Sequence, residues 1–351
     1  MKKFGSRLFV LVLGVLLAAP VTAQSDEDFA HLIQEIEAEA SDLTGAAIVI
    51  IKDDKVVYKK VFGRHKDGTP FDARTLFGLA SVSKPIVATA LSALVQKDKA
   101  SFEDTVVYQG LKIPLIQVLS HTSGYPIRGD KEIEKGLSRD ALLGFLKKSK
   151  RTLRKGEKPY FYSNLVYSLS QEYAASKGYT LKALLGVLGV GFETLPLSST
   201  NIALPHSREK KPLPFPSLYQ QNVAASGGVF ASLDTMIQFL HIAIGKKPEL
   251  VSRASLNTLF SPRARAGDVF HWHRIPFKDQ DIISSYGLGW RRLRLKSRPG
   301  ADLIFHSGSI NGTTAFVGMT QDGRMGAAIL ANQSTGFPLK AGLSIWKNYM
   351  Q

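Results

Sequence analysis

The 351-residue chain has no cysteine. That excludes a disulfide framework, a thiolate nucleophile, a thiolate-bound zinc and a lipid anchor of the acylated-cysteine type. An exported protein of this size can bury enough surface to fold without disulfides, so the absence does not argue for the cytosol. Acidic residues are scarce beside basic ones, Asp+Glu 29 against Lys+Arg 45, a formal net charge of +16. An excess this large favours anionic surroundings such as wall polymers or lipid head groups. Past the N-terminus no apolar run is long enough to span a bilayer, which takes about 20 residues. Internal repeats and low-complexity tracts are missing, as is a Gly-x-Ser-x-Gly elbow, which disfavours an α/β-hydrolase. Hydrophobic residues at 44% and charged ones at 21% fit a globular protein rather than a disordered one.

The N-terminus carries Lys2, Lys3 and Arg7, an apolar stretch from Leu8 to Ala19, and small residues around Val21-Thr22-Ala23. This is the pattern of a cleaved export signal over residues 1–23. The expectation is a periplasmic or secreted protein, with one domain over 24–351, no membrane span after cleavage and no nucleic-acid partner.

Apolar spacing predicts an amphipathic helix over 26–41, then a hairpin of Ala46–Ile51 and Val56–Phe62 turned at Asp53-Asp54. A helix follows over 81–96, with Pro85 in its opening turn. Residues 100–230 read as helices and loops. Strand character returns at Leu303–Phe305, Thr313–Met319 and Met325–Ala331, and a last helix covers Leu339–Tyr349. The simplest assembly is α+β: an antiparallel sheet built from both chain ends (about 24–80 and 280–351), flanked by the terminal helices, with a mostly helical region (about 81–280) inserted. A cleft is expected where the two parts meet.

Three short segments hold residues with chemical potential. In Ser81-Val82-Ser83-Lys84, Ser81 and Lys84 share a helix face. A lysine can take the serine proton once burial or a second cation lowers its pKa. By itself the pair reads as the capped start of a helix. In Tyr162-Ser163-Asn164, Tyr162 could relay a proton and Asn164 could orient a lysine or a substrate carbonyl; the alternative is a plain N-cap. In His306-Ser307-Gly308-Ser309, Gly308 would let a backbone approach the strand, and the N–H groups of Ser309 and Ser81 would form an oxyanion hole. The alternative there is a strand end before the turn Asn311-Gly312.

Taken in order and at this spacing, Ser-x-x-Lys, Tyr-x-Asn and His-x-Gly resemble the active-site serine penicillin-recognising enzymes. The similarity is to the branch holding class C β-lactamases, low-molecular-weight penicillin-binding proteins, D-Ala-D-Ala carboxypeptidases and related esterases. Leu119–Gly124 (LSHTSG), Ala225–Ser232 (ASGGVFAS) and Tyr286–Trp290 (YGLGW) extend the match over nearly all of the mature chain.

The resemblance implies a β-lactamase/transpeptidase-like fold and no cofactor or metal. It implies Ser81 as nucleophile, Lys84 as its base and Tyr162 as second proton carrier. Asn164, His306, Gly308 and Ser309 would contact substrate. Arg291, directly after Tyr286–Trp290, matches an arginine that holds a terminal carboxylate in some D-Ala-D-Ala peptidases; the alternative is a solvated basic strand. Arg128 is a second candidate at the rim. His306 stands where class C β-lactamases carry lysine, and supplies charge only near or below about pH 6.5. This leaves peptidase, D-amino-acid amidase and esterase chemistry ahead of β-lactam hydrolysis. His121 is read as a satisfied structural histidine. His206, His241, His271 and His273 lack metal-ligand spacing. The basic run Lys147, Lys148, Lys150, Arg151, Arg154, Lys155 and Lys158 reads as a solvated face, with docking on an anionic wall polymer as the alternative. A substrate-class alternative of another kind is a non-catalytic wall-binding protein that keeps the fold.

Overall fold

The computed structural model describes residues 21–152, 160–194, 198–215, 217–266, 282–296 and 300–350. Most of the expected leader, Arg154, Lys155 and Lys158 of the basic run, and His271 and His273 lie outside them. The chain opens with α1 (Val21–Ser41), then the hairpin β1 (Gly45–Lys52) and β2 (Lys55–Gly63). Asp53 and Asp54 both take positive φ, 47° and 70°, which matches the twist of a tight hairpin. A short strand, β3 (Phe77–Gly78), leads through a 3-10 turn (Ala80–Val82) into α2 (Ser83–Gln96). Next come the ribbon β4 (Thr105–Tyr108) and β5 (Leu111–Pro114), then α3 (Leu115–Ser120), α4 (Asp130–Glu134), α5 (Arg139–Lys148), α6 (Asn164–Ser176) and α7 (Leu181–Gly186). After α8 (Ser217–Gly227), β6 (Phe230–Ala231) pairs with β3. Two helices, α9 (Leu233–Ala243) and α10 (Arg253–Phe260), complete the inserted region.

The rest of the chain is β7 (Ala264–Arg265), β8 (Ile282–Tyr286), β9 (Arg291–Leu295), β10 (Leu303–Ile310), β11 (Thr313–Thr320), β12 (Met325–Ala331) and the last helix, α11 (Phe337–Tyr349). Eight strands form one antiparallel sheet in the order β2-β1-β12-β11-β10-β9-β8-β7. Ala46 pairs with Ala331 and Lys52 with Met325, so the two chain ends meet at its centre. The expected α+β architecture is what the chain adopts. Two details lay beyond the sequence pattern: β7 joins the main sheet from within the stretch read as helical, and β4–β5 forms a ribbon there. Strands of two to four residues are too short to show a period.

Both faces of the sheet are covered, which is why β1, β11 and β12 read as unbroken apolar runs rather than alternating ones. Ile48, Ile50, Phe305, Phe316 and Ile329 pack with Ile36 of α1 and Trp346 of α11. Ala47, Val49, Ile304, Val317 and Leu330 pack on the other side with Val87, Leu91 and Phe239 of the inserted region. Each fully buried Ile or Val is worth about 1.5–3 kcal/mol relative to exposure. The free edge strand β2 carries Lys55, Lys59 and Lys60, charges that discourage edge-to-edge pairing.

Candidate active site

Ser81 lines a cleft of about 630 Å³ between strand β10 and the inserted helical region. The turn that presents it is held rigidly. Ala80 adopts φ 47°, a sparsely populated conformation for a residue with a side chain. Leu79 N–H donates to Val229 O at 2.9 Å. The Ser83 hydroxyl donates to Ala80 O at 2.7 Å and accepts from Val229 N–H at 3.0 Å. The turn thus stays in place although Ser81 itself is partly exposed.

One helical step on, Lys84 is completely buried. Its Nζ lies 3.1 Å from Ser81 Oγ, 2.6 Å from Asn164 Oδ1 and 2.7 Å from Ser226 O. Tyr162 and Tyr167 present ring faces 4.7 and 5.5 Å away. Burial holds the Lys84 pKa well below the usual lysine range; Asp130 opposes this, while Arg291 and Arg128 add to it. A neutral amine has two N–H bonds and one lone pair. Asn164 Oδ1 and Ser226 O can only accept, so they take the two N–H bonds. The lone pair then faces the Ser81 hydroxyl, the arrangement a general base needs.

Tyr162 donates to Ser81 Oγ at 2.8 Å. Burial pushes its phenol up to about 12, so it works as a neutral hydroxyl and not as a phenolate. The guanidinium groups of Arg128 and Arg291 each lie 5.4 Å from its ring centre. Ser163 and Asn164 divide the two roles that the sequence left open. Ser163 caps α6 by accepting from Val166 N–H at 3.1 Å, and Asn164 turns its amide to Lys84.

His121 is only half satisfied. Its Nδ1 accepts from Ser163 N–H at 3.2 Å, but Nε2 is buried with no hydrogen-bond partner among the described residues, amid the rings of Tyr160, Tyr162, Tyr167 and Tyr286. Burial keeps its pKa far below the ordinary histidine value. The neighbouring Ser120 hydroxyl bonds Ile116 O and Thr122, so no Ser-His pair forms there.

Strand β10 forms the other wall. A Cβ on Gly308 would stand 2.4 Å from Leu79 O and 2.8 Å from Ser81 N, so only glycine lets this strand lie against the turn carrying Ser81. Ser309 is exposed on the cleft side. Strand β9 pairs with β10 only at Leu303–Phe305, which leaves residues 306–310 unpaired with it along the cleft. His306 lies on β10 and lines the cleft. Its ring is buried, with Nε2 3.0 Å from Tyr286 OH and Nδ1 2.7 Å from Ser307 O. A carbonyl requires a proton on Nδ1, and Nε2 shares its hydrogen bond with the Tyr286 hydroxyl, which braces the ring and holds that tyrosine in place. Arg291 is not on a solvated strand. It is nearly buried, lies 5.4 Å from the ring centres of Tyr162 and Tyr286, and lines the cleft.

Other residues at the site escaped sequence reasoning. Ser226 acts through a backbone carbonyl, which no side chain reveals. Tyr167, whose hydroxyl donates to Lys84 O at 2.8 Å, reads as one more apolar helix position. Asp130, Glu134, Arg208 and Tyr219 also line the cleft. For Asp130 the only signal was a glycine set between two charged residues in Arg128-Gly129-Asp130.

The profile of the family described as Beta-lactamase matches residues 29–345. No match was found among curated proteins. Among solved structures, a class C beta lactamase from Rhodobacter sphaeroides superposes with TM-score 0.67 at 16% identity, over 92% of this chain and 99% of that one. A D-alanine carboxypeptidase AmpC from Burkholderia cenocepacia gives 0.67 at 18% identity, over 92% and 99%. EstCE1, a hydrolase with promiscuous acyltransferase activity, gives 0.69 at 17%, over 94% and 100%. At these identities the structural likenesses establish the fold.

Proposed function

The chain belongs to the Beta-lactamase family of serine hydrolases, and from that premise we propose that it cleaves an amide or ester through an acyl-enzyme on Ser81. One observation carries the reading: Ser81 Oγ, at the cleft, is within hydrogen-bond reach of both a buried lysine amine, 3.1 Å, and a phenol, 2.8 Å. Ser81 Oγ attacks the substrate carbonyl carbon while its proton passes to the Lys84 lone pair. The oxyanion is held by the main-chain N–H groups of Ser81 and Ser309. The C–N or C–O bond then breaks, Tyr162 gives its proton to the leaving group, and Lys84 returns a proton to Tyr162. Water repeats the sequence on the acyl-enzyme and frees the acid.

The substrate class we propose is a D-Ala-type peptide from the cell wall. Arg291 lines the cleft beside His306 with a charge that is fixed at any working pH, and a planar guanidinium suits a terminal carboxylate. Residues Gly308–Ile310 of β10, beyond its pairing with β9, line the cleft and suit an extended peptide. Export by the N-terminal signal would place the enzyme beside that substrate, and its positive charge beside anionic wall polymer. A β-lactam also bears a carboxylate and an amide. Deacylation then decides between the two: water must use the same Lys84 and Tyr162 as Ser81 did, with no further base assigned to it, so a penicillin is expected to acylate fast and leave slowly.

The test is covalent labelling with a fluorescent penicillin and with an activated-ester probe. Ser81→Ala is expected to abolish both labels. Equal labelling of the variant rejects the proposal. Turnover of a chromogenic cephalosporin at a rate matching peptide hydrolysis would move the assignment to β-lactamase. Wall affinity undiminished in Ser81→Ala, with no ester or amide turnover by the native chain, would mark a binding protein.

A further inference from the structure

A carboxylate that the scheme above does not use stands directly behind Asn164. Gly129 takes φ +87°, and a Cβ there would meet Leu165 Cγ at 2.2 Å, so glycine allows the 128–130 segment to settle on the start of α6. Arg128 O accepts from Asn164 N–H at 2.9 Å and fixes the two backbones together. This brings Asp130 against the Asn164 side chain. Asp130 Oδ1 accepts from Asn164 Nδ2, and its Oδ2 accepts from Arg128 Nε at 3.0 Å. Arg128 in turn lies over the Tyr162 ring.

An asparagine amide has a donor end and an acceptor end of nearly the same shape. Near Lys84 the difference decides the chemistry. With Oδ1 toward Nζ, the amide takes one N–H and leaves the lone pair for Ser81. With the amide reversed, Nδ2 would point an N–H at the amine and compete for that lone pair. A carboxylate can only accept, so Asp130 permits Nδ2 to face it and opposes Oδ1 doing so.

We propose that Asp130 is a positioning residue: it locks the Asn164 amide with its oxygen on Lys84 and thereby aims the amine lone pair at Ser81. The proposal rests on the reading of Lys84 as the base. The charged and titratable groups that face Lys84 are Asp130 and Arg128 from the loop and α4, Tyr162 and Tyr167 at and in α6, Arg291 from β9, and His121 after α3. Asp130 is the one anion in that set. Removing it leaves burial and the two arginines unopposed.

Asp130→Asn tests this, because a second amide can donate or accept and so releases the lock with little change of shape. Two readouts are needed. The first is the titration of Lys84 followed by NMR on protein labelled at the lysine side chains, assigned by loss of the signal in Lys84→Met. The second is the pH profile of acylation by a penicillin or ester probe. Asp130→Asn is expected to move the Lys84 midpoint to lower pH and to slow acylation at least tenfold at pH values where the amine is neutral in both proteins. Asp130→Glu, which restores a carboxylate, is expected to recover the midpoint. Should Asp130→Asn not fold, Asp130→Ser gives the same reading. Slower acylation with an unmoved midpoint marks a merely structural role and overturns the proposal, as does an unchanged rate. If the native chain forms no acyl-enzyme at all, the reading of Ser81 fails, while the Lys84 titration still decides the effect of Asp130.

Discussion

At Lys84 the fold converts an ordinary side chain into a candidate base. Burial removes the water that favours the ammonium form, and Arg291 and Arg128 push the same way. Acylation should therefore rise with pH as Lys84 loses its proton, with a midpoint well below that of a free lysine. Tyr162, raised to about 12, stays a phenol throughout this range, so no falling limb from it is expected below about pH 11. A profile from stopped-flow acylation that falls between pH 8 and 10 would contradict this assignment. Lys84→Met should slow acylation by about 100-fold or more, since a positioned base contributes about 100- to 10,000-fold. At this scale the sequence told much. Ser81, Lys84, Tyr162 and Asn164 stood out only through the resemblance of three motifs in order, since each pair alone reads as a helix cap; the structure brings their side chains together. Asp130 and the Ser226 carbonyl did not stand out: one is a lone acid in a loop, the other carries no side-chain signature. The bracing role of His306 depends on Tyr286, twenty positions away on another strand.

Elements set the distances between these residues. The 3-10 turn, α6 and β10 each bring one part of the site, and each contact has a residue that permits it. Gly308→Ala places a methyl group against backbone at Leu79 and Ser81, where nothing flexible can yield. It is expected to separate β10 from the turn and reduce acylation at least 100-fold while far-UV circular dichroism stays native. Activity within a few-fold of the native chain would show that the strand does not need this approach. Ser163→Ala removes the cap of α6 and should lower stability by about 1 kcal/mol in urea unfolding. The long helices α1, α2 and α11 were legible from period, and β1, β11 and β12 from short unbroken apolar runs. Strands β3, β6 and β7 were not, since two residues paired across a long chain separation leave no pattern.

Across the whole molecule, the sheet closes the chain on itself: Ala46 and Ala331 lie about 285 residues apart and pair directly, which costs about 5 kcal/mol in loop entropy beyond a constant term. Two or three buried side chains offset that. Trp346 of α11 is fully buried against the sheet, and its indole N–H donates to Ala301 O at 3.0 Å. Trp346→Ala should therefore destabilise the fold by about 3–5 kcal/mol, measured by calorimetry. A loss under about 1 kcal/mol would mean that the terminal helix is not part of the core. The most direct measurement weighs the intact protein after incubation with a penicillin, a D-Ala-D-Ala peptide and a short-chain ester, then maps any adduct by peptide digestion. A mass gain of one acyl group, carried by the peptide containing residue 81 and missing from Ser81→Ala, is the outcome expected. An adduct on another residue, or the same gain in Ser81→Ala, would contradict the account.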